Sequence, residues 1–210
     1  EGASHEGYPS HPTTTAHQAN ERKQQRLTAM NNEANIYSWD NIVPLALYAH
    51  QQAEAKGFWK EPYHEDHYLM LVVTELSEAV EADRKCNWAV LDPSTIDTLE
   101  RMEGAAFAQM FLREVKDTVE DEIADACIRL LDLIGSKATE DEELCVIDVR
   151  PPSEMDPLTK TLFHVCNSLH DSKPIGYRTV LPLCLLRAVA ERYEFDLMAH
   201  IRLKMKYNET

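Results

Sequence analysis

The sequence is poor in glycine, and it also has no long hydrophobic run. Only six of its 210 residues are glycine, less than half of the usual share of ~7%. Sheet-rich folds use glycine at many tight turns, so its scarcity favours long helices joined by few turns. The 44% hydrophobic content indicates a folded protein that is large enough to bury a core.

Basic residues are also scarce. The chain has 21 Lys and Arg against 36 Asp and Glu, which gives a formal net charge of −15. Nucleic-acid backbones and anionic lipid surfaces attract proteins that cluster Lys and Arg. We therefore expect neither a nucleic-acid polymer nor a membrane as a partner. A small anionic substrate is compatible with this charge only if a cation bridges it to the protein.

Membrane spans and paired cysteines are both missing. The longest apolar runs, Ile42–Ala49 and Val180–Leu186, are far shorter than the ~20 residues of a membrane span. No apolar segment follows a basic start, so we expect no signal peptide. The five cysteines are scattered without a Cys-x-x-Cys pair, which favours reduced thiols and a cytoplasmic location over a disulfide framework or a zinc site.

Hydrophobic periodicity divides the chain into a polar tail and a helical remainder. Residues 1–32 are polar and aperiodic, which predicts a disordered tail, and residues 33–210 are predicted to form a single all-α domain. Residues 136–157 are expected to be irregular and are compatible with a short strand pair. The predicted helices are Trp39–Lys56 (ended by Gly57), Asp66–Lys85, Thr95–Phe111, Leu112–Ile134 (ended by Gly135), Pro157–His170 and Pro182–Tyr207, the last with a kink near Glu194–Asp196.

Two of these helices carry paired carboxylates that solvation explains poorly. Glu75 and Glu78 lie side by side on a helix, where they repel each other unless a cation joins them. Around Glu122 and Asp125 apolar residues cover most of the helix circumference, which is typical of a central bundle helix. Carboxylates on a buried helix need a metal ion or an arginine as partner. Two interpretations stay open: a metal site, or a partly exposed stripe that Arg129 satisfies by one ion pair.

Facing each other, the two pairs would form a cage made only of oxygen atoms. Such a ligand set suits Mg²⁺ or Mn²⁺ and does not suit Zn²⁺, which prefers His and Cys. The fold predicted on this basis is an all-α helical bundle built around two antiparallel-type helices that carry the paired carboxylates.

Four blocks of the sequence, in this order, resemble the MazG-like all-α NTP pyrophosphohydrolases. They are Ala55–Trp59 (AKGFW), Thr74–Arg84 (TELSEAVEADR), Glu120–Leu133 (EDEIADACIRLLDL) and Lys204–Asn208 (KMKYN). A paired-acid pattern alone is degenerate, whereas the ordered set with its aromatic and Lys/Asn elements is more specific. Against the shorter members of that family, the chain is expected to carry helical insertions near residues 86–114 and 136–191.

The resemblance implies hydrolysis of (deoxy)nucleoside triphosphates to a nucleoside monophosphate and pyrophosphate by a homodimer or homotetramer. It implies that Mg²⁺, or Mn²⁺ in its place, is held by Glu75, Glu78, Glu122 and Asp125. Glu78 and Glu122 are the expected catalytic residues, and Glu78 would orient or deprotonate the attacking water.

The same resemblance assigns the substrate contacts. Lys204 and Asn208, one turn apart, would bind phosphates, and Arg84 is either a further phosphate contact or part of a solvated helix end. Phe58 and Trp59 either stack on the nucleobase or anchor the first helix to the core. Two other functions stay open, namely a non-catalytic helical interaction protein on the same scaffold and a dUTPase-type specialised nucleotide hydrolase.

Overall fold

Helices make up all the regular structure that is described. The computed structural model describes residues 36–210 except positions 62, 90, 140, 147, 151, 152, 154 and 171, so the predicted tail, residues 1–32, lies outside the described residues. The helices are α1 (Val43–Ala55), α2 (Glu65–Arg84), α3 (Pro93–Arg101), α4 (Gly104–Glu114), α5 (Val119–Gly135), α6 (Leu158–Leu169), α7 (Ile175–Tyr193) and α8 (Leu197–Asn208). The predicted all-α fold class is therefore confirmed.

Helix α5 is the centre of the bundle and packs against α1, α2, α7 and α8. Its start is fixed by Thr118, whose Oγ1 accepts a hydrogen bond of 3.3 Å from the backbone N–H of Asp121. The first turn also contains Glu120 and Glu122, and the positive end of the helix dipole favours carboxylates at that position. All three of these acids are buried, so α5 presents its carboxylates to the interior of the protein.

Helix α2 lies beside α5 and forms one of its largest interfaces. It begins after His64, whose ring Nδ1 accepts a hydrogen bond of 3.3 Å from the backbone N–H of Asp66. Val72, Leu76 and Ala79 are buried on its inner face, at the i, i+4 and i+7 spacing of an apolar helix stripe. The register of this stripe places the Glu75 side chain next to α5.

Helices α1 and α5 touch through their backbones at Gly135. A Cβ atom at this position would lie 2.1 Å from the carbonyl oxygen of Ala46 and 2.8 Å from the Cβ atom of His50. Because a backbone oxygen cannot move aside as a flexible side chain does, only glycine fits here. Gly135 was expected to end the helix, and the structure shows it as the last residue of α5 and as a packing residue.

The two predicted insertion regions are largely helical. Residues 86–114 contain α3 and α4, which pack against α8 and with it form a small apolar cluster of Leu99, Phe107, Phe111, Val115 and Leu203. Residues 136–191 contain α6 and most of α7, and α6 packs against α2 and α7. The larger apolar core lies between α1, α2, α5, α6, α7 and α8.

Three predicted helices are each divided or shifted in the structure. The continuous helix predicted over residues 112–134 is wrong, because α4 runs on to Glu114 and Asp117 then adopts a φ of 61°, which a right-handed helix does not accommodate. Thr95–Phe111 is likewise two helices, α3 and α4. Pro182–Tyr207 belongs to α7 and α8, which are separated at Glu194 with a φ of 58°, close to the expected kink. The described part of residues 136–157 contains no strand.

None of the described helices combines the length and the apolar character that crossing a membrane requires.

Candidate functional site

Three carboxylates from α2 and α5 come together at the centre of the candidate site. Glu75, Glu78 and Glu122 each offer an oxygen atom, and these atoms lie within 4.8 Å of one another. Opposite ligands of an octahedral Mg²⁺ are about 4 Å apart, so small side-chain movements would allow one ion to reach all three. Glu122 and Glu75 are buried, whereas Glu78 is exposed, and the group therefore reaches from the core to solvent.

Within this group, the negative charge of Glu122 is the least well compensated by the protein. Its Oε2 atom is buried and accepts no hydrogen bond from the described residues, which is costly for a carboxylate. The nearest cation is Lys116, whose Nζ lies 3.9 Å from Oε1. Burial, and next the charge of Asp121, raises the pKa of Glu122 to about 8. A cation bound beside Glu122 would relieve this cost.

Asp125, the fourth predicted metal ligand, is paired with a lysine instead. The Nζ atom of Lys204 lies 2.6 Å from Oδ2 of Asp125, and it also donates to both carboxylate oxygens of Asp121 at 2.9 Å and 2.8 Å. Burial alone would lower the pKa of Lys204, but the charges of Asp125 and Asp121 outweigh burial and raise it. Lys204 was predicted to bind phosphate, and in the structure it neutralises the buried Asp121 and the half-buried Asp125.

A second acidic group adjoins the first and shares Glu122 with it. Asp117, Asp121 and Glu122 also offer oxygen atoms within 4.8 Å of one another. Here the chain supplies its own partners, because Asp121 is bonded to Lys204, accepts the backbone N–H of Asp117 at 3.0 Å and lies 3.7 Å from Lys116. This second group is therefore a poorer place for a metal ion than the first.

Arg129 contacts the first acidic group from the side. Its Nε donates a hydrogen bond of 3.1 Å to Oε1 of Glu75 on α2, rather than forming the stripe pair with Asp125 that was the alternative prediction. Its guanidinium also lies over the ring of Phe58, 5.6 Å from the centroid. Arg129 thus contacts both the first acidic group and Phe58, which lies in the segment that follows α1.

A cavity of about 300 Å³ opens beside these residues, between α1, α5 and α8. Among the predicted site residues, Phe58, Asp125, Lys204 and Asn208 line it, together with the cations Lys56, Lys116 and Arg129. The three glutamates are not among the described residues that line the cavity, but Arg129 bonds Glu75 and Lys116 lies near Glu122, so these two cations join the cavity to the first acidic group. The lining also contains the carboxylates of Asp125, Asp132 and Glu209, so a phosphate-bearing ligand would be suited to this place if it arrives with a hard cation.

Trp59 and Arg84 lie apart from this cavity. The indole of Trp59 stacks on Tyr68 with 4.2 Å between ring centroids, and its Nε1 donates to Oδ1 of Asp132 at 2.9 Å. Of the two roles open for Trp59, the structure therefore favours the anchor. Arg84 is exposed and pairs with Glu81 one turn away at 3.1 Å, which places it on a solvated helix surface.

Several residues at the site were missed at the level of sequence. Lys116 follows α4 without any motif, and only the fold brings it to Glu122. His50 and Asp132 lie 82 positions apart and meet in a buried hydrogen bond of 2.8 Å. Asp132 belongs to the polar stripe of the predicted helix and to the block Glu120–Leu133, but neither pattern singled it out as a site residue.

The donor set fits the ion that was predicted. Three carboxylates, one with a buried oxygen that lacks a hydrogen-bond partner among the described residues, are the hard ligands that Mg²⁺ and Mn²⁺ prefer. In comparisons with known proteins, no family model, no curated protein and no solved structure matches the chain significantly. The MazG-like resemblance therefore stays a prediction that depends on the sequence blocks.

Proposed function

We propose that this protein is a Mg²⁺-dependent nucleotide pyrophosphohydrolase, which converts (deoxy)nucleoside triphosphates to a nucleoside monophosphate and pyrophosphate. The observation that carries the proposal is the group of Glu75, Glu78 and Glu122, with its unpartnered Glu122 oxygen, beside a cavity lined by four cationic side chains. The ordered sequence blocks agree with this reaction. An acidic protein would meet a polyphosphate through this group of cations.

Each carboxylate has a role that follows from its position. Glu75, Glu78 and Glu122 would hold Mg²⁺, which when bound supplies positive charge to the phosphate oxygens. Glu78 is the exposed member of the group, so it is the residue that reaches a water molecule at the mouth of the site. Glu75 is held in place by Arg129 and serves to position the group.

The reaction requires a water oxygen to bond the α-phosphorus while the bond from that phosphorus to the α–β bridging oxygen breaks. The proton of the water passes to Glu78, and pyrophosphate leaves with the electron pair of the broken bond. Lys56 and Lys116 line the cavity and would hold the departing phosphates as point charges. Asn208, exposed at the cavity rim, would donate its amide to a phosphate oxygen.

The first test is a product analysis with each NTP and dNTP in the presence of Mg²⁺. We expect stoichiometric pyrophosphate and monophosphate, and a loss of about 10³-fold or more in kcat for Glu122→Gln. The matched control is Glu103→Gln, because Glu103 is an exposed glutamate outside the site. Release of orthophosphate without pyrophosphate, or full activity of Glu122→Gln, would contradict the proposal.

One observation favours a second function, that of a non-catalytic helical interaction protein. Lys204 is fully engaged by Asp121 and Asp125, and a scaffold without catalysis retains such internal pairs for folding alone. Calorimetry separates the two functions, since the scaffold protein would not bind Mg²⁺. The substrate panel also identifies a specialised dUTPase-type hydrolase, which would act on a single nucleotide.

A further inference from the structure

A second cleft adjoins the cavity of the candidate site and shares three of its walls. It has a volume of about 220 Å³, which is below the range of about 300–1,000 Å³ of a complete ligand site. Phe58, Arg129 and Asp132 line both spaces. One ligand could therefore occupy the cavity with one part and the cleft with another.

The two spaces differ in chemistry. The cavity wall contains Lys56, Lys116 and Lys204, whereas the described cleft wall has no lysine, and half of its residues carry aromatic rings, namely Phe58, Tyr63, His67 and Tyr68. Cations suit phosphates, and aromatic rings suit a planar heterocycle. A nucleotide with its phosphates in the cavity would place its base in the cleft.

The aromatic walls of the cleft are not equivalent. Phe58 and Tyr63 are 52% and 54% exposed, and each ring can offer a ligand the part that its neighbour leaves uncovered: Arg129 lies over Phe58, and His67 stacks on Tyr63 with 4.3 Å between centroids. Tyr68, by contrast, is buried and stacks on Trp59, which lies behind the cleft wall, with 4.2 Å between centroids. The rings that face a ligand in this cleft are therefore those of Phe58 and Tyr63.

Asp132 is the polar group that distinguishes one base from another. Its side chain is held from two directions, by His50 Nδ1 at 2.8 Å and by Trp59 Nε1 at 2.9 Å, both on Oδ1. Among the described residues, Oδ2 accepts a hydrogen bond only from the same Trp59 N–H, at 3.2 Å. An ionised carboxylate only accepts hydrogen bonds, so Oδ2 has acceptor capacity left for a ligand that donates.

We propose that Asp132 selects nucleotides whose base carries an exocyclic amino group, with that group donating to Oδ2 while the ring lies against Phe58. This inference uses the proposed function only in taking the ligand to be a nucleotide. A base with a carbonyl oxygen at the same position would bring that oxygen against Oδ2, and because both atoms only accept hydrogen bonds, Oδ2 would receive none from the ligand. Sites that are built to bond one polar group reject the analogue without it strongly.

The test measures binding rather than turnover, with the non-hydrolysable α,β-methylene analogues of CTP and UTP in Mg²⁺. These analogues differ at position 4 of the base, which carries an amino group in cytosine and a carbonyl in uracil, and at N3, which accepts in cytosine and carries an N–H in uracil. Calorimetry of the full chain is expected to show the CTP analogue binding about 10- to 100-fold more tightly. In Asp132→Asn the amide oxygen would serve His50 and Trp59 and its NH₂ would face the ligand, so the ratio is expected to fall to one or below.

Two further variants complete the experiment. Asp97→Asn, on the exposed surface of α3, is the matched control and should keep the wild-type ratio. If Asp132→Asn does not fold, Trp59→Phe removes one of the two donors that hold Asp132 and should reduce the ratio. Equal affinities in the wild type, a ratio that Asp132→Asn or Trp59→Phe leaves unchanged, or no binding of either analogue would overturn the inference.

The result is separate from the fate of the proposed function. Selective binding without pyrophosphate release from natural nucleotides would support the role of Asp132 and would contradict the proposed hydrolase function. Pyrophosphate release without selectivity would do the reverse.

Discussion

The two acidic groups that meet at Glu122 differ in the cations that the chain supplies to them. In the group with Asp117 and Asp121, Lys204 and Lys116 lie within ion-pair distance of Asp121. In the group with Glu75 and Glu78, the described residues leave an oxygen of Glu122 without a hydrogen bond. Buried carboxylates need compensation: lysines neutralise the second acidic group, whereas in the first Arg129 pairs with Glu75 and the buried Glu122 oxygen is left for a cation from outside.

The largest effect is expected when Lys204, the cation that neutralises the second acidic group, is replaced. Lys204→Met would leave the buried Asp121 and the half-buried Asp125 without the ammonium group of Lys204, and we expect a loss of about 3–5 kcal/mol in the free energy of unfolding. Urea denaturation measures this loss. The control is Lys160→Met, because Lys160 forms an exposed ion pair with Asp156 that is worth about 0–1 kcal/mol. Equal losses in the two variants would show that Lys204 does not neutralise a buried pair.

The opposite test supplies the missing cation to the other group. At a Mg²⁺ concentration of about 100 times its Kd, one bound ion raises the free energy of unfolding by about 2.7 kcal/mol. We expect this gain in the wild type and in Glu103→Gln, and none in Glu122→Gln. Thermal or chemical denaturation with and without Mg²⁺ measures it. The same gain in all three proteins would place the ion elsewhere.

Measured per pH unit, the smallest expected effect is a pH dependence of stability caused by Glu122. Its pKa is raised from 4.5 to about 8, so between these values the folded state holds a proton that the unfolded state has released. Stability from this group is therefore greatest at low pH and falls as pH rises, by on the order of 1 kcal/mol per pH unit at most.

This pH effect is obtained as a difference between two proteins. The free energy of unfolding of the wild type minus that of Glu122→Gln should decrease from about pH 5 to pH 8 in the absence of divalent ions. The subtraction removes the other carboxylates that titrate in the same range. A flat difference would mean that Glu122 keeps an ordinary pKa in the folded protein.

The sequence predicted the helices that carry the acids because their apolar periodicity is local. Oxygen atoms of Glu75, Glu78 and Glu122 lie within 4.8 Å of one another because α2 and α5 pack through the apolar stripes that were visible in the chain, whereas Asp125, the fourth acid of the predicted cage, is not in this group. The break before α5 was missed because Asp117 has a positive φ, and a non-glycine residue gives no compositional sign of it.

The partners of the acids could not be predicted in the same way. Lys204 lies 83 positions from Asp121, and no periodicity or motif says whether a lysine on the last helix faces a ligand or a carboxylate. Arg129 shows the same limit, since it was considered beside Asp125 and instead reaches Glu75 on another helix. Side-chain pairing across helices depends on tertiary distances, which single-sequence patterns do not contain.

Gly135 has a consequence that extends beyond its own contact. An added Cβ would press on Ala46 and on His50 at once, and His50 is one of the two donors that orient Asp132. Helix α1 also forms a wall of the cavity. A side chain at position 135 that pushed α1 away from α5 would therefore widen the cavity and at the same time tilt the Asp132 carboxylate. The missing side chain of Gly135 therefore sets both the width of the cavity and the orientation of the Asp132 carboxylate.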